Sequence, residues 1–291
     1  ISATLVAPSA ALEALAARIG EAKGADPLAP VTVAVPTNTC GVMTRRALGR
    51  SVGIAGVDMV TLNRLAELIA GPELAAGGRS PMSTPVVDLA IGAVMADDPG
   101  PFGPVATHPS TVVALRELHT ELRLAGPAAR DRLGAESARG RQVLRVSNAV
   151  VERLEAAWYD EADLYAVATE AVRRAAPDGL RSLVLHLPQE LSGLALDFVR
   201  SLGEVIDVRL VLQVTGDHLG ADRGQGLGGI GIRAARNGSR LESAACVALV
   251  RAPSSSGTYF WISGVAAASA WSATVSAACA GPLLQPVARR A

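Results

Sequence analysis

Polar side chains follow a short run of apolar and β-branched residues at positions 31–35, where the sequence changes from a strand-like to a helix-like pattern. Thr37, Asn38 and Thr39 occupy this transition. Hydroxyl and amide groups there, with the first N–H groups of a helix, can contact a phosphate. The helix that follows adds positive charge through Arg45, Arg46 and Arg50. The alternative is that these residues only cap the helix and cover its exposed face.

Two glycine-containing segments match functional motifs in form. Segment 49–53 fits the G-x-S-x-G pattern around Ser51. A nucleophile elbow needs a strand before its serine and a helix after it, and here a helix precedes, so we predict a surface loop. Segment 226–231 fits G-x-G-x-x-G, but no strand leads directly into it and no ribose-binding acid follows suitably. An α/β enzyme that binds a nucleotide cofactor through the Gly226 loop stays open as an alternative.

No set of residues has the spacing of a metal or catalytic site. The histidines are scattered, at His108, His119, His186 and His218. The acidic group Asp160, Glu161 and Asp163 fits helix capping better than metal binding. The Walker A pattern G-x-x-x-x-G-K-[ST] is absent, and Lys23, the only lysine, lies outside any such segment. We therefore predict no catalytic residue, no metal and no cofactor.

Composition indicates a globular protein. The 291 residues are 49% hydrophobic and 19% charged, with 27 basic and 27 acidic groups, so net charge points to no particular partner. The cysteines, Cys40, Cys246 and Cys279, are too few and too scattered for a disulfide framework or a zinc site. With no visible secretory signal, these features predict a cytoplasmic location.

Alternating strands and helices position the polar segments. Periodicity predicts a helix at 11–22, strands at 31–35 and 57–61, and helices at 41–48 and 62–69. After a series of helical runs at 85–95, 110–124, 140–160 and 161–174, the alternation resumes with a strand at 183–187, a helix at 191–202 and a strand at 205–214. This order predicts a parallel sheet with covering helices, interrupted by an all-helical insertion. The predicted divisions are 1–80, 81–178, 179–217 and 218–291.

The last division has a different character. Its only acids are Asp222 and Glu242, and residues 252–288 carry no formal charge. We predict a poorly structured tail and hypothesise that the reading frame shifts near residues 217–224. The uncharged stretch 257–284 is diluted by Ser, Thr and Gly, so we expect no membrane span. A membrane-tethered adaptor is the alternative that this stretch leaves open.

Four segments are similar, in order, to helicase motifs. Residues 31–48 resemble a strand and "TNxAA" helix that touch single-stranded DNA, and residues 57–66 the next strand and "TFxxLA" helix. Residues 158–164 resemble a "DFDDLL" segment, and residues 183–192 lie where a Walker B motif, "VDExQDLS", would be. Together they resemble the N-terminal helicase-like region of AddB-type proteins, PD-(D/E)XK nuclease family subunits of bacterial recombination helicase–nucleases.

The resemblance implies a RecA-like fold that has lost its ATPase motifs. At the Walker B position His186 and Leu187 replace the Asp-Glu pair, while Gln189 and Glu190 match. Phosphoryl transfer needs a phosphate cradle, a metal and a positioned water together, so no ATP hydrolysis is expected. The family's nuclease site lies beyond residue 291, and no nuclease residue can be carried over. The resemblance, with the residue pattern, implies DNA contacts at Thr37, Asn38, Thr39, Arg45, Arg46, Asn63 and Arg64.

These expectations combine into one functional hypothesis. The chain is a non-catalytic, helicase-like fragment that acts in double-strand break processing. Its expected partners are DNA, single-stranded or a duplex end, and a catalytic helicase–nuclease subunit. The parent protein would be a PD-(D/E)XK exonuclease.

Overall fold

The structure, a computed structural model, describes residues 1–51, 53–189 and 191–213. This part of the chain contains seven strands, nine α-helices and two short 3₁₀ helices, Pro8–Ala10 and Gly100–Val105. The strands are β1 (Ser2–Val6), β2 (Val31–Val35), β3 (Val57–Thr61), β4 (Ser80–Pro81), β5 (Trp158–Tyr159), β6 (Ser182–His186) and β7 (Asp207–Gln213). The helices are α1 (Ala11–Lys23), α2 (Asn38–Ser51), α3 (Leu62–Ala76), α4 (Thr84–Asp97), α5 (Pro109–Ala125), α6 (Pro127–Glu136), α7 (Ala138–Leu154), α8 (Glu161–Arg174) and α9 (Gly193–Val205).

Five of the strands form one parallel sheet in the order β1-β7-β6-β2-β3. The predicted α/β class with a parallel sheet is confirmed. Helices α1 and α2 pack on one face of the sheet, and α3, α8 and α9 pack on the other. Because all strands run the same way, every loop that follows a strand lies at one edge, the carboxyl edge.

Strand β6 shows why these residues form an internal strand. Leu183 and Leu185 belong to the cluster under α3, α8 and α9, whereas Val184 belongs to the cluster under α1 and α2. Successive side chains point to opposite faces of a strand, so a strand that is covered on both sides reads as continuously apolar. His186, at its end, is also buried.

Helices α4, α5 and α7 bury a third apolar cluster of their own, centred on Ile91 and Val150. The chain enters and leaves this helical insertion through β4 and β5, which pair in parallel. Ser80 N–H donates to the Ala157 carbonyl at 2.8 Å, and Met82 N–H donates to the Tyr159 carbonyl at 2.8 Å. The predicted insertion, residues 81–178, also contains α8, whose buried face lies in the cluster on the sheet.

Charged side chains join the insertion to the sheet at this neck. Arg123, on α5, contacts Asp160 through Nε at 2.7 Å and Asp163 through Nη2 at 2.6 Å. Arg79 reaches Asp163 at 2.7 Å and also donates to the Trp158 carbonyl. Asp160 and Asp163 form a capping box at the start of α8, as predicted in place of a metal site. We call these four residues the neck network.

Four strands and helices are absent from the sequence predictions: the two-residue strands β4 and β5, strand β1 and helix α6. Strand β1 is a short edge strand whose residues are mostly exposed, and α6 buries none of its residues. Neither therefore shows the apolar periodicity by which the other elements were recognised. The predicted helix at 140–160 ends earlier, at Leu154, because the chain turns there into β5.

Several predictions fall outside the described residues: the tail at 218–291, the Gly226 loop, the proposed frame shift and the uncharged stretch 257–284. Within the described ranges, no helix is both long and apolar enough to cross a membrane.

Candidate nucleic-acid interface

The order in which the chain adds strands to the sheet reverses between β2 and β6: β3 follows on the outer side of β2, and β7 follows on the other side, next to β6. Strands β2 and β6 are neighbours, with Ala34 opposite Leu185, yet α2 leaves β2 toward one face and α9 leaves β6 toward the other. Loops that diverge in this way open a crevice at the carboxyl edge, where ligands of open α/β sheets bind. We call this place the switch crevice and define it by the residues that follow the two strands, 36–38 after β2 and 187–189 after β6. It brings together two of the four helicase-like segments of the sequence analysis, 31–48 and 183–192.

Helix N-termini surround the switch crevice. Helices α2, α3 and α9 all begin at the carboxyl edge, and none of them carries Asp or Glu in its first turn. The partial positive charge of their first N–H groups is therefore not offset by acids within those turns. Such an edge favours an anionic ligand.

The three polar residues after β2 are exposed at the start of α2. The Thr37 hydroxyl accepts a hydrogen bond from Cys40 N–H at 3.1 Å, so it acts as the helix cap. No hydrogen bond of the Asn38 or Thr39 side chain to another described residue is seen, which leaves both available to a ligand. The capping alternative thus applies to Thr37, and the predicted DNA contacts stay a prediction.

The end of β6 differs from a nucleotide-hydrolysing site. His186 is buried, and its Nδ1 has no hydrogen-bond partner among the described residues. Burial lowers the pKa of His186 to about 4, so the ring is neutral at pH 7. Leu187 offers no ligand atom for a metal and adopts a left-handed φ of 50°, which strains a residue other than glycine. Gln189 is exposed at the crevice, and Glu190 lies outside the described residues.

Asn63 and Arg64 follow β3, the edge strand next to β2. They belong to the first turn of α3, which Thr61 caps by accepting from Arg64 N–H at 3.2 Å. Val35 is opposite Thr61 in the sheet, so both helix starts share the carboxyl edge. The Arg64 guanidinium pairs with Glu67 at 2.6 Å, which offsets part of its charge.

The α2 arginines are less close to the crevice. Arg45 and Arg46 are exposed about two turns, or roughly 10 Å, along α2 from Asn38. Arg45 donates to the Val57 carbonyl at 3.2 Å, and neither residue pairs with a described carboxylate. Val57 begins β3 at the edge of the sheet opposite the switch crevice, so these arginines lie outside the site and add charge along α2.

The loop after β1 is a feature that the sequence analysis missed. Only residues 7–10 separate β1 from α1, and they contain Pro8 in a short 3₁₀ turn. Pro8 has no N–H to offer a phosphate, and Glu13 in the first turn of α1 repels an anion. A phosphate-binding loop cannot form here. The sequence analysis could have found this loop only if the residues before position 11 had shown the apolar periodicity of a strand.

The other residues that the sequence analysis considered, among them Ser51 and His119, have structural roles. Ser51 is the last residue of α2 and donates to the Ala47 carbonyl at 3.2 Å, so the elbow geometry is absent. His119 contacts the Ser147 hydroxyl at 2.9 Å in the insertion. Among the residues that the structure describes, no group of three or more His, Cys, Asp or Glu side chains could hold a metal.

The chain matches no family of known proteins, and no curated protein matches it significantly.

Proposed function

We propose that this protein is a non-catalytic, RecA-like module that holds single-stranded DNA at its switch crevice. One observation carries the proposal: three helix starts without first-turn acids meet at one edge, together with Asn38 and Thr39, whose side chains make no hydrogen bond to another described residue. This edge offers hydrogen-bond donors to phosphates.

Sheet topology supports the RecA-like part of the proposal. In a nucleotide hydrolase, the phosphate cradle and the magnesium ligands must reach the same nucleotide, so their strands lie close together. Here β1 and β6 are separated only by β7. The residues that follow them, Pro8 after β1 and His186 with Leu187 at the end of β6, fit neither role. A module that keeps the fold and binds a ligand, but does not hydrolyse a nucleotide, accounts for both the strand order and the residues at the ends of β1 and β6.

The cellular role follows from the resemblance to AddB-type proteins. Such a module would act beside a catalytic helicase–nuclease subunit in the processing of double-strand breaks, and the parent protein would be a PD-(D/E)XK exonuclease. Its own contribution would be to guide the strand by charge and hydrogen bonding.

The test is binding of the full chain to a fluorescent 20-nucleotide oligo-dT, measured by anisotropy at several salt concentrations. We expect affinity to fall steeply with salt, because each contacted phosphate releases counterions. The double variant Arg45→Gln/Arg46→Gln should bind about tenfold less tightly and lower the log–log salt slope by about one for each arginine.

The matched control is Arg173→Gln/Arg200→Gln. It makes the same charge change at exposed arginines that pair with Glu170 and Asp197, and it should bind like wild type. Salt-independent binding, no binding, or an equal loss in both variants would contradict the proposal.

A further inference from the structure

The start of helix α9 lies against the end of helix α5. Gly193 is the first residue of α9, and a Cβ atom there would be 2.5 Å from the Ala125 carbonyl oxygen, closer than real Cβ atoms come to other heavy atoms. Just after α5, a Cβ atom on Gly126 would be 3.6 Å from the Leu194 side chain. The two helix ends therefore meet backbone to backbone at Gly193, where glycine provides no side chain that could absorb a shift.

One of these helix ends belongs to the switch crevice. Helix α9 begins shortly after Gln189, and Ser192 caps it by accepting a hydrogen bond from Ala195 N–H at 3.2 Å. The first N–H groups of α9 lie at the carboxyl edge, and such groups have no partner within their own helix. An anion bound there would therefore hold the start of α9 in place.

The other helix end belongs to the neck network. Arg123 lies in the last turn of α5, just before Ala125, and contacts Asp160 at 2.7 Å and Asp163 at 2.6 Å. Hydrogen bonds of this kind are lost when the two atoms separate beyond about 3.2 Å. A shift of the end of α5 by about 1 Å would therefore be enough to weaken both contacts.

The neck leaves room for such a shift. Strands β4 and β5, through which the chain enters and leaves the insertion, have only two residues each. A cavity of about 10 Å³, lined by His119 and Arg123 among other residues, lies beside the ion pairs. This is about the space that one water molecule occupies, so Arg123 is not closely packed on that side. The position of the insertion thus depends on ion pairs that respond to where α5 ends.

We propose that the contact between α5 and α9 couples the switch crevice to the neck network, so that a ligand that fixes the start of α9 also fixes the orientation of the helical insertion. The inference rests on the proposed function for the identity of that ligand. The coupling between the two helix ends can be measured without any ligand, so the two proposals can fail separately.

The first experiment measures hydrogen exchange by mass spectrometry in full-length Gly193→Ala, at the end of α5 and the start of α8. The added methyl group pushes α5 away from α9, although alanine favours a helix more than glycine does. We expect exchange to be about tenfold faster than in wild type at these two places and within about twofold of wild type in β2 and β3.

Gly71→Ala, on α3, is the matched control. A Cβ atom there would have no described atom within 4 Å beyond the neighbouring residues of its own helix. The same substitution should therefore change exchange at the end of α5 by less than about twofold. If Gly193→Ala folds and leaves exchange at the neck unchanged, or if Gly71→Ala speeds it as much, the inference is overturned.

A second pair of variants decides the question if Gly193→Ala does not fold. Ser192→Ala removes the cap of α9, and Thr61→Ala removes the cap of α3, in which Thr61 accepts from Arg64 N–H, also at 3.2 Å. We expect Ser192→Ala to speed exchange at the end of α5 about threefold and Thr61→Ala to leave it unchanged, because α9 is the helix that meets the end of α5. Equal effects of the two variants would overturn the inference.

The same measurement with saturating 20-nucleotide oligo-dT tests the role of the ligand. We expect exchange at the end of α5 and the start of α8 to slow about threefold in wild type and to stay unchanged in Gly193→Ala. If oligo-dT binds wild type without slowing exchange at the neck, the inference is overturned. If oligo-dT does not bind, the proposed function fails, and the coupling stands or falls with the comparison of the variants.

Discussion

Different forces hold the sheet and the helical insertion in place. Around the sheet, apolar side chains fill both faces, with Leu185 and Phe198 on one face and Leu15 and Val184 on the other. At the base of the insertion, Arg79, Arg123 and the two Asp residues of the neck network meet in partly buried ion pairs. Apolar packing tolerates exchange of similar side chains. An ion network fails when one member is lost, because a desolvated charge remains unpaired. The orientation of the insertion is therefore more fragile than the sheet.

The largest effect is expected from a cavity in the sheet cluster. Phe198 is fully buried on α9, and its ring centroid is 5.8 Å from that of Tyr165 on α8. Phe198→Ala should lower the free energy of unfolding by about 4 kcal/mol, measured by urea denaturation with far-ultraviolet circular dichroism. Leu89→Ala, at a side chain that is 75% exposed, is the control and should change stability little. Equal effects would show that the sheet is not the main source of stability.

A somewhat smaller but more localised effect is expected at the neck network. Arg123→Met keeps the length of the side chain and leaves Asp160 and Asp163 without their shared partner. Burial alone would raise the pKa of Asp160, but its hydrogen bond to Arg123 and the charge of Arg123 outweigh burial and hold the pKa below its usual value. We expect a loss of about 3 kcal/mol, with faster hydrogen exchange in α5 and at the start of α8 than in β6.

Arg116→Met provides the matched comparison for that prediction. Arg116 makes a two-pronged contact to Asp88 at 2.7 Å, but this pair is more exposed and lies within the insertion. Its loss should cost less than about 1 kcal/mol. If the two arginine variants destabilise the protein equally, or if hydrogen exchange in β6 rises as much as in α5, the neck network does not hold the insertion independently of the sheet.

The same contrast explains which features the sequence could predict. Strands β2 and β3 were predicted with their bounds because their residues are apolar or β-branched and polar loops follow them. The switch crevice could be foreseen only as separate segments, since pairing of β2 with β6 joins residues that are about 150 positions apart. The neck network joins Arg79 to Asp163 across 84 positions, and charged residues carry no periodic signal. The loop around Pro8 was missed because β1 is a short, exposed edge strand.

The smallest effect is expected at two buried histidines, one in the sheet and one in the helical insertion. Burial is the largest cause that lowers the pKa of His186, in the sheet, and of His119, in the insertion, to about 4 each. In the unfolded chain both titrate near the ordinary value of about 6.5. The folded state therefore binds fewer protons between these values, and the stability that each histidine contributes is present above pH 6.5 and lost as the pH falls toward 4.

Substitution by leucine should affect the two histidines differently, because within the described part of the chain His119 has a hydrogen-bond partner and His186 Nδ1 has none. His186→Leu removes the buried, unpartnered Nδ1 and should raise the free energy of unfolding by about 1 kcal/mol at pH 7.5, and by more at pH 5. His119→Leu leaves the buried Ser147 hydroxyl without its partner and should lower stability by about 1 kcal/mol at pH 7.5. Both variants should flatten the decline between pH 6.5 and 4, measured by urea denaturation in steps of pH. A decline that survives in the double variant would assign it to some group other than these histidines.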